Sequence, residues 1–365
     1  MKNQSEIIIL GASLQCVGGV ANYYTNLNLH ANDNIEYFEI NSSTKENPIR
    51  KSIRLIANYT RFIKLISTKS VKIIHINPSL DYKSFWRDAI FLWISLIFSK
   101  KIIIFFRGWE DRYEKKIKEN FYLGFVFKNT YLKADAFVVL GQVFKKKLLD
   151  LGASRATPFF IETTIADTGF LSDFDLNKKS NSFDSEVKIL FLSRIEIEKG
   201  IYIAIDAFHS FCIKNPDKKA KLIIVGSGNE ENRAINYTFD RKIRNVEFTG
   251  YLRGKDKGIL LNECHIMLFP TYYGEGLPNS ILEGMLYGMP IITRINAGIP
   301  DVIQHNINGY ITESKDPVDF SFFLEKLVQN KLVCTEIAKT NHKIALEHYT
   351  TEKVRERILS IYDVI

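Results

Sequence analysis

Residues 269–285 combine a glycine-rich turn, two carboxylates and the start of a helix in one short stretch. An apolar run before the turn predicts a buried strand, and Pro278 and Asn279 are typical of the first residues of a helix. Backbone N–H groups and the helix dipole at such a start bind anions. Glu275 and Glu283 flank this position, and carboxylates accept hydrogen bonds from sugar and ribose hydroxyls. The stretch therefore predicts a nucleotide-sugar site.

This Glu-x7-Glu segment resembles the donor site of retaining glycosyltransferases of family GT4. The chain resembles this family along most of its length, and the resemblance is strongest over residues 187–312. The resemblance implies that Glu275 accepts from donor-sugar hydroxyls and orients the anomeric carbon, and that Glu283 accepts from the ribose. The further donor-binding residues that it implies in this stretch are Gly276, Leu277, Pro278 and Asn279. The alternative is an ordinary strand, turn and helix with two surface glutamates.

Two cations follow the predicted strand at residues 188–192. Arg194 and Lys199 flank a short loop that leads into a helix. Two cations at the carboxyl edge of a sheet neutralise a pyrophosphate and stabilise the charge that grows on a leaving diphosphate. GT4 proteins have a similar Arg and Lys-Gly pattern, which implies a catalytic and donor-binding role. The alternative is a pair of exposed loop cations, with Lys199 balanced by Glu196 and Glu198.

Two glycine pairs mark other loops of the predicted site. Gly226 and Gly228 end the strand at residues 221–225, but no third glycine completes a dinucleotide-binding fingerprint. Gly18 and Gly19 precede the first helix, where the absence of Cβ atoms lets an oxyanion approach the backbone. GT4 proteins are similar at both places, which implies donor contacts. Turn geometry and a glycine helix start are the respective alternatives.

Arg107 stands where many GT4 chains have a histidine near the reacting sugar. Because a guanidinium group stays protonated, Arg107 is not expected to act as an acid or base. Contact with the donor sugar, the diphosphate or an acceptor phosphate stays open, as does a plain cation at a strand end. The loop at residues 296–301 resembles another GT4 loop, and a ligand contact and a helix cap are equally compatible with it.

No cofactor or metal is expected apart from the nucleotide sugar as co-substrate. Asp173 and Asp175 form an Asp-x-Asp sequence, but it lies in a predicted linker and not at a strand end. The seven histidines lack metal-ligand spacing, so a metal-independent reaction is predicted. The four scattered cysteines are typical of a reducing compartment.

Alternating strands and helices predict an α/β chain with parallel sheets. We expect an acceptor-binding domain at residues 1–165, a polar linker at 166–186 and a donor domain at 187–345. The GT4 resemblance implies the GT-B fold, in which two doubly wound Rossmann-like domains face each other across a cleft. It also implies that a C-terminal helix, residues 346–365, crosses back to the first domain.

The first half of the chain is strongly basic. Residues 1–165 contain 24 Lys and Arg against 14 Asp and Glu, a net charge of +10, whereas the remainder has a net charge of −2. Basic clusters at residues 51–66, 115–118 and 145–147 are either solvated surface or a docking site for anionic lipid. Nucleic-acid recognition motifs are absent from the sequence. The apolar run at residues 89–98 is too short to span a bilayer and predicts a core helix.

These observations predict a retaining glycosyltransferase that moves a sugar from a nucleotide diphosphate sugar to an acceptor hydroxyl. We expect a lipid-linked oligosaccharide acceptor in bacterial surface polysaccharide synthesis, such as O-antigen or capsule. The expected location is the cytoplasm, with peripheral attachment to the inner face of the cell membrane. The alternatives are a GT-B nucleotide-sugar epimerase and a non-catalytic nucleotide-sugar-binding protein.

Overall fold

The computed structural model describes residues 6–16, 18–41, 47–68, 70–274 and 276–365. The chain divides into two compact units. The first comprises Met1–Thr163 together with Val354–Ile365, and the second comprises Thr164–Lys353. Each unit contains strands that alternate with helices, as the sequence predicts.

The first unit is a parallel sheet whose strands are connected mainly by helices. Its elements are β1 (Ile7–Gly11), α1 (Gly19–Leu27), β2 (Ile35–Glu39), α2 (Pro48–Thr68), β3 (Ile73–Ile76), β4 (Ser79–Leu80), α3 (Tyr82–Ile97), β5 (Lys101–Phe105), β6 (Gly108–Trp109), α4 (Asp111–Glu119), α5 (Phe121–Asn129), β7 (Ala136–Val139), α6 (Gln142–Asp150) and β8 (Phe159–Ile161). The sheet order is β2-β1-β3-β5-β7-β8, and β4 pairs with β6 separately. Strand β5 is a continuous apolar run because both its faces are buried, as Ile102, Ile103 and Ile104 show.

The second unit repeats this architecture. Its elements are α7 (Leu176–Ser182), β9 (Val187–Leu192), α8 (Ile201–Lys214), β10 (Ala220–Val225), α9 (Glu231–Asp240), β11 (Val246–Gly250), α10 (Gly254–Glu263), β12 (Ile266–Phe269), α11 (Asn279–Leu286), β13 (Ile291–Arg294), β14 (Gly309–Thr312), α12 (Pro317–Gln329) and α13 (Lys331–His348). The strand order β11-β10-β9-β12-β13-β14 is parallel throughout. The order reverses between β9 and β12, and ligands of such sheets bind at the carboxyl ends of the strands at this point.

The last helix, α14 (Thr351–Val364), returns the chain to the first unit, as expected. Arg357 donates from Nε to both carboxylate oxygens of buried Glu162, at 3.2 and 3.0 Å. Arg355 donates to the carbonyl oxygen of Leu27 at 2.6 Å. The Tyr362 hydroxyl lies 2.6 Å from Nδ1 of His75, which is buried in β3. These polar contacts fix the register of α14 on the first sheet.

The sequence patterns missed several elements. Helices α4, α5, α9 and α13 and the edge strands β2, β8 and β14 were not predicted, because short or polar segments carry a weak periodic signal. Helix α7 forms inside residues 166–186, the segment expected to be a linker. Its Lys179 is buried and donates to the carbonyl oxygens of Leu261 and Tyr287 at 3.0 and 2.6 Å.

Helix α3 corrects the expectation of a core helix at residues 89–98. Phe91 and Leu92 are buried, but Trp93 and Ile97 of the same segment are exposed. Only one face of α3 therefore belongs to the core of the first unit. Among the described residues, no helix has both the length and the apolar character needed to cross a membrane.

We predict that Arg357→Ala lowers the free energy of unfolding by about 2 kcal/mol, because it leaves the Glu162 carboxylate buried without its cation. Urea denaturation measures the change. Lys339→Ala is the control, because Lys339 and Glu336 form an exposed pair whose loss costs less than about 0.5 kcal/mol. Equal effects of the two substitutions would contradict the role given to Arg357.

Candidate active site

Two loops meet at the carboxyl edge of the second sheet, where the strand order reverses. The first loop follows β9 and the second follows β12, and these two strands pair in parallel. The backbone N–H of Tyr272 donates to the carbonyl oxygen of Glu198 at 2.8 Å. Gly200 has a φ of 83°, and a Cβ there would lie 2.4 Å from the carbonyl oxygen of Pro270. Glycine at position 200 therefore permits the close approach of the two loops.

Hydrogen bonds to carbonyl oxygens position the segment that leads into α11. Helix α11 begins at Asn279, and no side chain caps its first turn among the described residues. The carbonyl oxygen of Leu277 accepts from the Thr164 hydroxyl at 3.2 Å, and that of Gly276 accepts from the N–H of Gly298 at 2.9 Å. Uncapped N–H groups at a helix start suit an anion, as the sequence predicts for this position. Glu275 lies outside the described residues.

Arg194 and Lys199 come together around one aromatic ring. The Lys199 ammonium lies 4.3 Å and the Arg194 guanidinium 5.2 Å from the ring centroid of Tyr273. Lys199 is only 6% exposed, whereas Arg194 is largely exposed and forms an ion pair with Glu196 at 2.6 Å. Arg194 and Lys199, which the sequence predicts to act as a pair, therefore both lie beside Tyr273. The tyrosine ring forms a cation–π contact with each of them.

Glu283 lies in α11 and is buried against α10. Its Oε1 accepts from Lys257 Nζ at 2.7 Å. Burial raises the pKa of Glu283, and the charge of Lys257 opposes this rise. Burial lowers the pKa of Lys257, but the Glu283 carboxylate outweighs that effect and the net shift is upward. The pair holds the carboxylate in a fixed orientation, and the alternative of a surface glutamate is wrong for Glu283.

The two glycines after β10 have a packing role. Gly226 has a φ of 137°, and a Cβ there would lie 1.9 Å from the carbonyl oxygen of Ser193. A Cβ on Gly228 would lie 2.2 Å from the carbonyl oxygen of Ile195. The loops after β9 and β10 therefore pack backbone against backbone. This packing explains both glycines without a ligand, and their predicted donor contacts stay predictions.

The loop at residues 296–301 supports the same site. The Asn296 side-chain amide donates to the carbonyl oxygen of Tyr273 at 2.5 Å. A short 3-10 helix, Ile299–Asp301, follows. Together with the bond between Gly298 and Gly276, these contacts place the loop against the segment after β12.

In the first unit, Gly18 and Gly19 lie at the start of α1 and are exposed. A Cβ on either residue would meet no described heavy atom within 4 Å, apart from its chain neighbours and its own helix. Unlike the glycines after β10, this pair is not explained by local packing. Open space beside backbone N–H groups is compatible with the predicted donor contact.

Arg107 follows β5 in the first unit and lies on aromatic rings. Its guanidinium is 4.0 Å from the ring centroid of Tyr23 and 4.3 Å from that of Phe105. Its Nη1 is buried and has no hydrogen-bond partner among the described residues. Near it, burial lowers the pKa of His75 to about 3, with the charge of Arg107 adding to the effect. His75 is therefore neutral, and neither residue is suited to carry a proton in catalysis at neutral pH.

Two residues of the site were missed from the sequence. Lys257 lies in a helix with one other lysine, Lys255, and only the fold shows that it faces Glu283. Tyr273 lies within residues 269–285, the stretch predicted to bind the nucleotide sugar. Its position between a strand and a glycine turn was the signal that could have identified it. The Asp-x-Asp sequence at residues 173–175 has a structural role in part. Asp175 caps α7, and its side chain accepts hydrogen bonds from the N–H groups of Asn177 and Lys178.

Comparison with solved structures identifies the class of fold. Over 99% of this chain and 100% of the other, the structure is similar to that of Anabaena HepE, solved in complex with UDP and glucose, with a TM-score of 0.72 and 14% identity. The chain has the GT-B fold of glycosyltransferases.

Comparison with known sequences shows which family the second half of the chain resembles. Residues 173–344, just under half of the chain, match the family model of glycosyl transferases group 1. An uncharacterized glycosyltransferase of Methanocaldococcus jannaschii is 24% identical over 50% of this chain and 46% of its own. The O-antigen chain mannosyltransferase C of Escherichia coli is 24% identical over 48% of this chain and 46% of its own. The chain spans about half the length of these relatives. The resemblance is confirmed at the level of group 1, and GT4 membership stays a prediction.

We predict that Lys257→Met destabilises the protein by about 2–4 kcal/mol, because Glu283 is left buried without its cation. The loss should shrink as the pH is lowered, since removing the cation raises the pKa of Glu283 further and a protonated carboxyl needs no partner. Urea denaturation over a range of pH values measures both effects. Lys255→Met, an exposed position in the same helix, is the matched control, and a pH-independent loss would contradict the assignment.

Proposed function

We propose that the protein is a retaining glycosyltransferase that moves a sugar from a nucleotide diphosphate sugar to an acceptor hydroxyl. The observation that carries the proposal is the grouping of Arg194, Lys199 and the uncapped start of α11 at the point where the strand order of the second sheet reverses. The match of residues 173–344 to the family model of glycosyl transferases group 1 supports the same activity.

In the proposed complex the diphosphate lies between the two cations and the first turn of α11. Arg194 offers a planar set of donors, and Lys199 offers a compact charge in a buried setting. Residues 277–279 add backbone N–H groups and the positive end of the helix dipole. These groups stabilise the charge that develops on the diphosphate as the bond to the sugar breaks. Charge already supplied by the protein is compatible with a metal-independent reaction.

The two carboxylates have different proposed roles. Glu283, held by Lys257, accepts hydrogen bonds from the ribose, because a carboxylate has acceptor positions beyond the one that Lys257 uses. Glu275 accepts from the donor-sugar hydroxyls and orients the anomeric carbon. Gly226 and Gly228 border the nucleotide, and Gly18 and Gly19 approach the phosphates in the donor complex. Arg107 contacts an anionic group of donor or acceptor and carries no proton.

The proposed acceptor is a lipid-linked oligosaccharide of bacterial surface polysaccharide synthesis. A relative named for O-antigen chain mannosylation supports this class of pathway. The proposed location is the cytoplasm, with the basic first unit attached to the inner face of the membrane. A net charge of +10 over residues 1–165 favours an anionic surface as partner.

We predict that Lys199→Met weakens binding of the matching nucleoside diphosphate by tenfold to a hundredfold, about the value of a charged hydrogen bond. Isothermal titration with UDP and GDP measures the affinity. Lys214→Met is the control, because Lys214 is exposed at the other end of α8. If the Lys199→Met variant binds UDP and GDP as tightly as the wild type, the proposed position of the diphosphate is wrong.

We predict that Gly18→Val leaves thermal stability unchanged but lowers kcat/KM by about tenfold or more, because a side chain there displaces the phosphates from the backbone. Thermal unfolding and initial rates measure the two quantities. A stable variant with full activity would remove Gly18 from the donor site.

The reaction class is tested by incubating the protein with UDP- and GDP-sugars, with and without acceptor, and by reading the anomeric configuration of the product by NMR. A transferase gives a product that retains the donor configuration only when acceptor is present. An epimer formed from the donor alone would identify an epimerase. Binding without turnover, across acceptors that include lipid-linked oligosaccharides, would identify a non-catalytic binder.

A further inference from the structure

Helix α3 has an exposed apolar stripe along its whole length. The residues of the stripe are Tyr82, Trp86, Ile90, Trp93 and Ile97. At 3.6 residues per turn they occupy an arc of about 80° and extend about 22 Å along the axis. The opposite face carries the buried residues of this helix. A stripe of this length that includes two tryptophans is far more than scattered surface apolar residues.

Helix α2 has a stripe of the same kind and packs against α3. Its exposed residues Ile49, Ile53, Ile56 and Ile63 also share one narrow arc. The Tyr59 hydroxyl of α2 donates to the carbonyl oxygen of Arg87 in α3 at 3.2 Å. The ring of Tyr59 lies 4.7 Å from that of Phe91 in α3. The two stripes therefore belong to neighbouring helices of one unit.

Helix α5 adds three exposed aromatic residues on the other side of α3. They are Phe121, Tyr122 and Phe125. Its buried residue Phe127 stacks on Phe85 of α3, with ring centroids 6.5 Å apart. The exposed aromatic residues of α5 and the two stripes are together called the apolar surface below.

Exposed cations accompany the apolar surface. Lys64 lies in α2, Lys83 in α3 and Lys128 in α5, each within about 80° of the centre of the exposed apolar residues of its helix. On α3, the acid Asp88 is buried and paired with Arg87 at 2.6 Å, and Asp81 caps the first turn. Apolar helix faces with tryptophan and tyrosine, flanked by lysine, are typical of structures that lie in the headgroup region of a bilayer.

We propose that the apolar surface inserts into the interface of an anionic phospholipid bilayer, with Trp86, Trp93 and Ile97 among the acyl chains. A second copy of this chain is the less favoured partner, because it would bring two strongly basic units together. The inference rests on the proposed function, since a lipid-linked acceptor requires the enzyme at the membrane. The proposed function requires only that the basic first unit is attracted to an anionic membrane. The inference adds that apolar side chains of α2, α3 and α5 insert into the bilayer.

The test compares the variant Trp93→Gln/Ile97→Gln with the wild type by vesicle cosedimentation, using phosphatidylcholine vesicles with and without phosphatidylglycerol. We expect the partition coefficient for anionic vesicles to fall about tenfold or more, because two inserted side chains are lost. The control is Ile213→Gln/Phe239→Gln, which removes two exposed apolar residues of the second unit and should leave partitioning unchanged. Tryptophan emission supplies a second readout, since Trp86 and Trp93 are exposed and Trp109 is buried.

On anionic vesicles the wild type should show a blue shift of this emission, reduced in the variant. Equal partitioning of the two proteins, or binding that salt abolishes without any blue shift, would overturn the inference. A concentration-dependent dimer in sedimentation that Trp93→Gln/Ile97→Gln disrupts would instead assign the surface to a second copy. Nucleotide titration without vesicles tests the donor site alone. A wrong donor site and a wrong membrane surface therefore give different results.

Discussion

Parallel pairing of the strands places the loops of the candidate site together. In a parallel sheet all the carboxyl ends lie at one edge, so the segments after β9, β10, β12 and β13 meet although they are far apart in the chain. Arg194, Tyr273 and Asn296 follow three different strands, and contacts join them within one layer. The reversal of strand order between β9 and β12 leaves room at that edge, where α11 presents its uncapped first turn.

Close approach of these loops depends on residues without side chains. Gly200, Gly226 and Gly228 let backbones pass where a Cβ would be 1.9 to 2.4 Å from a carbonyl oxygen. The second constraint is the cost of burying charge, which is tolerable only with compensating partners. Lys257 and Glu283 compensate each other, and Lys179 is held by two carbonyl oxygens while burial lowers its pKa to about 7. The Lys257–Glu283 pair lies beside the start of α11, whereas Lys179 lies near His265 at the amino edge of β12.

The first unit is organised differently. Its carboxyl edge carries Arg107 on aromatic rings and the exposed glycine pair at the start of α1. Its outer helices expose isoleucine and tryptophan among lysines, which is unusual for a surface that meets only water. The proposed donor site in one unit and the proposed membrane surface in the other would suit an enzyme whose two substrates come from different phases.

The sequence alone determined the α/β class, the alternation of elements, the helix start at Pro278 or Asn279 and a helix at the end of the chain, because apolar periodicity and capping residues are local signals. The return of α14 to the first unit was expected only from the GT4 resemblance. The sequence also determined the candidate cations and carboxylates through their spacing. Only the tertiary structure decided that Lys257 reaches Glu283 and that Tyr273 contacts both Arg194 and Lys199, since these contacts join distant segments. Likewise, the run at residues 89–98 is apolar on every side, and only the packing of α3 on its neighbours decided which face is buried and which is exposed.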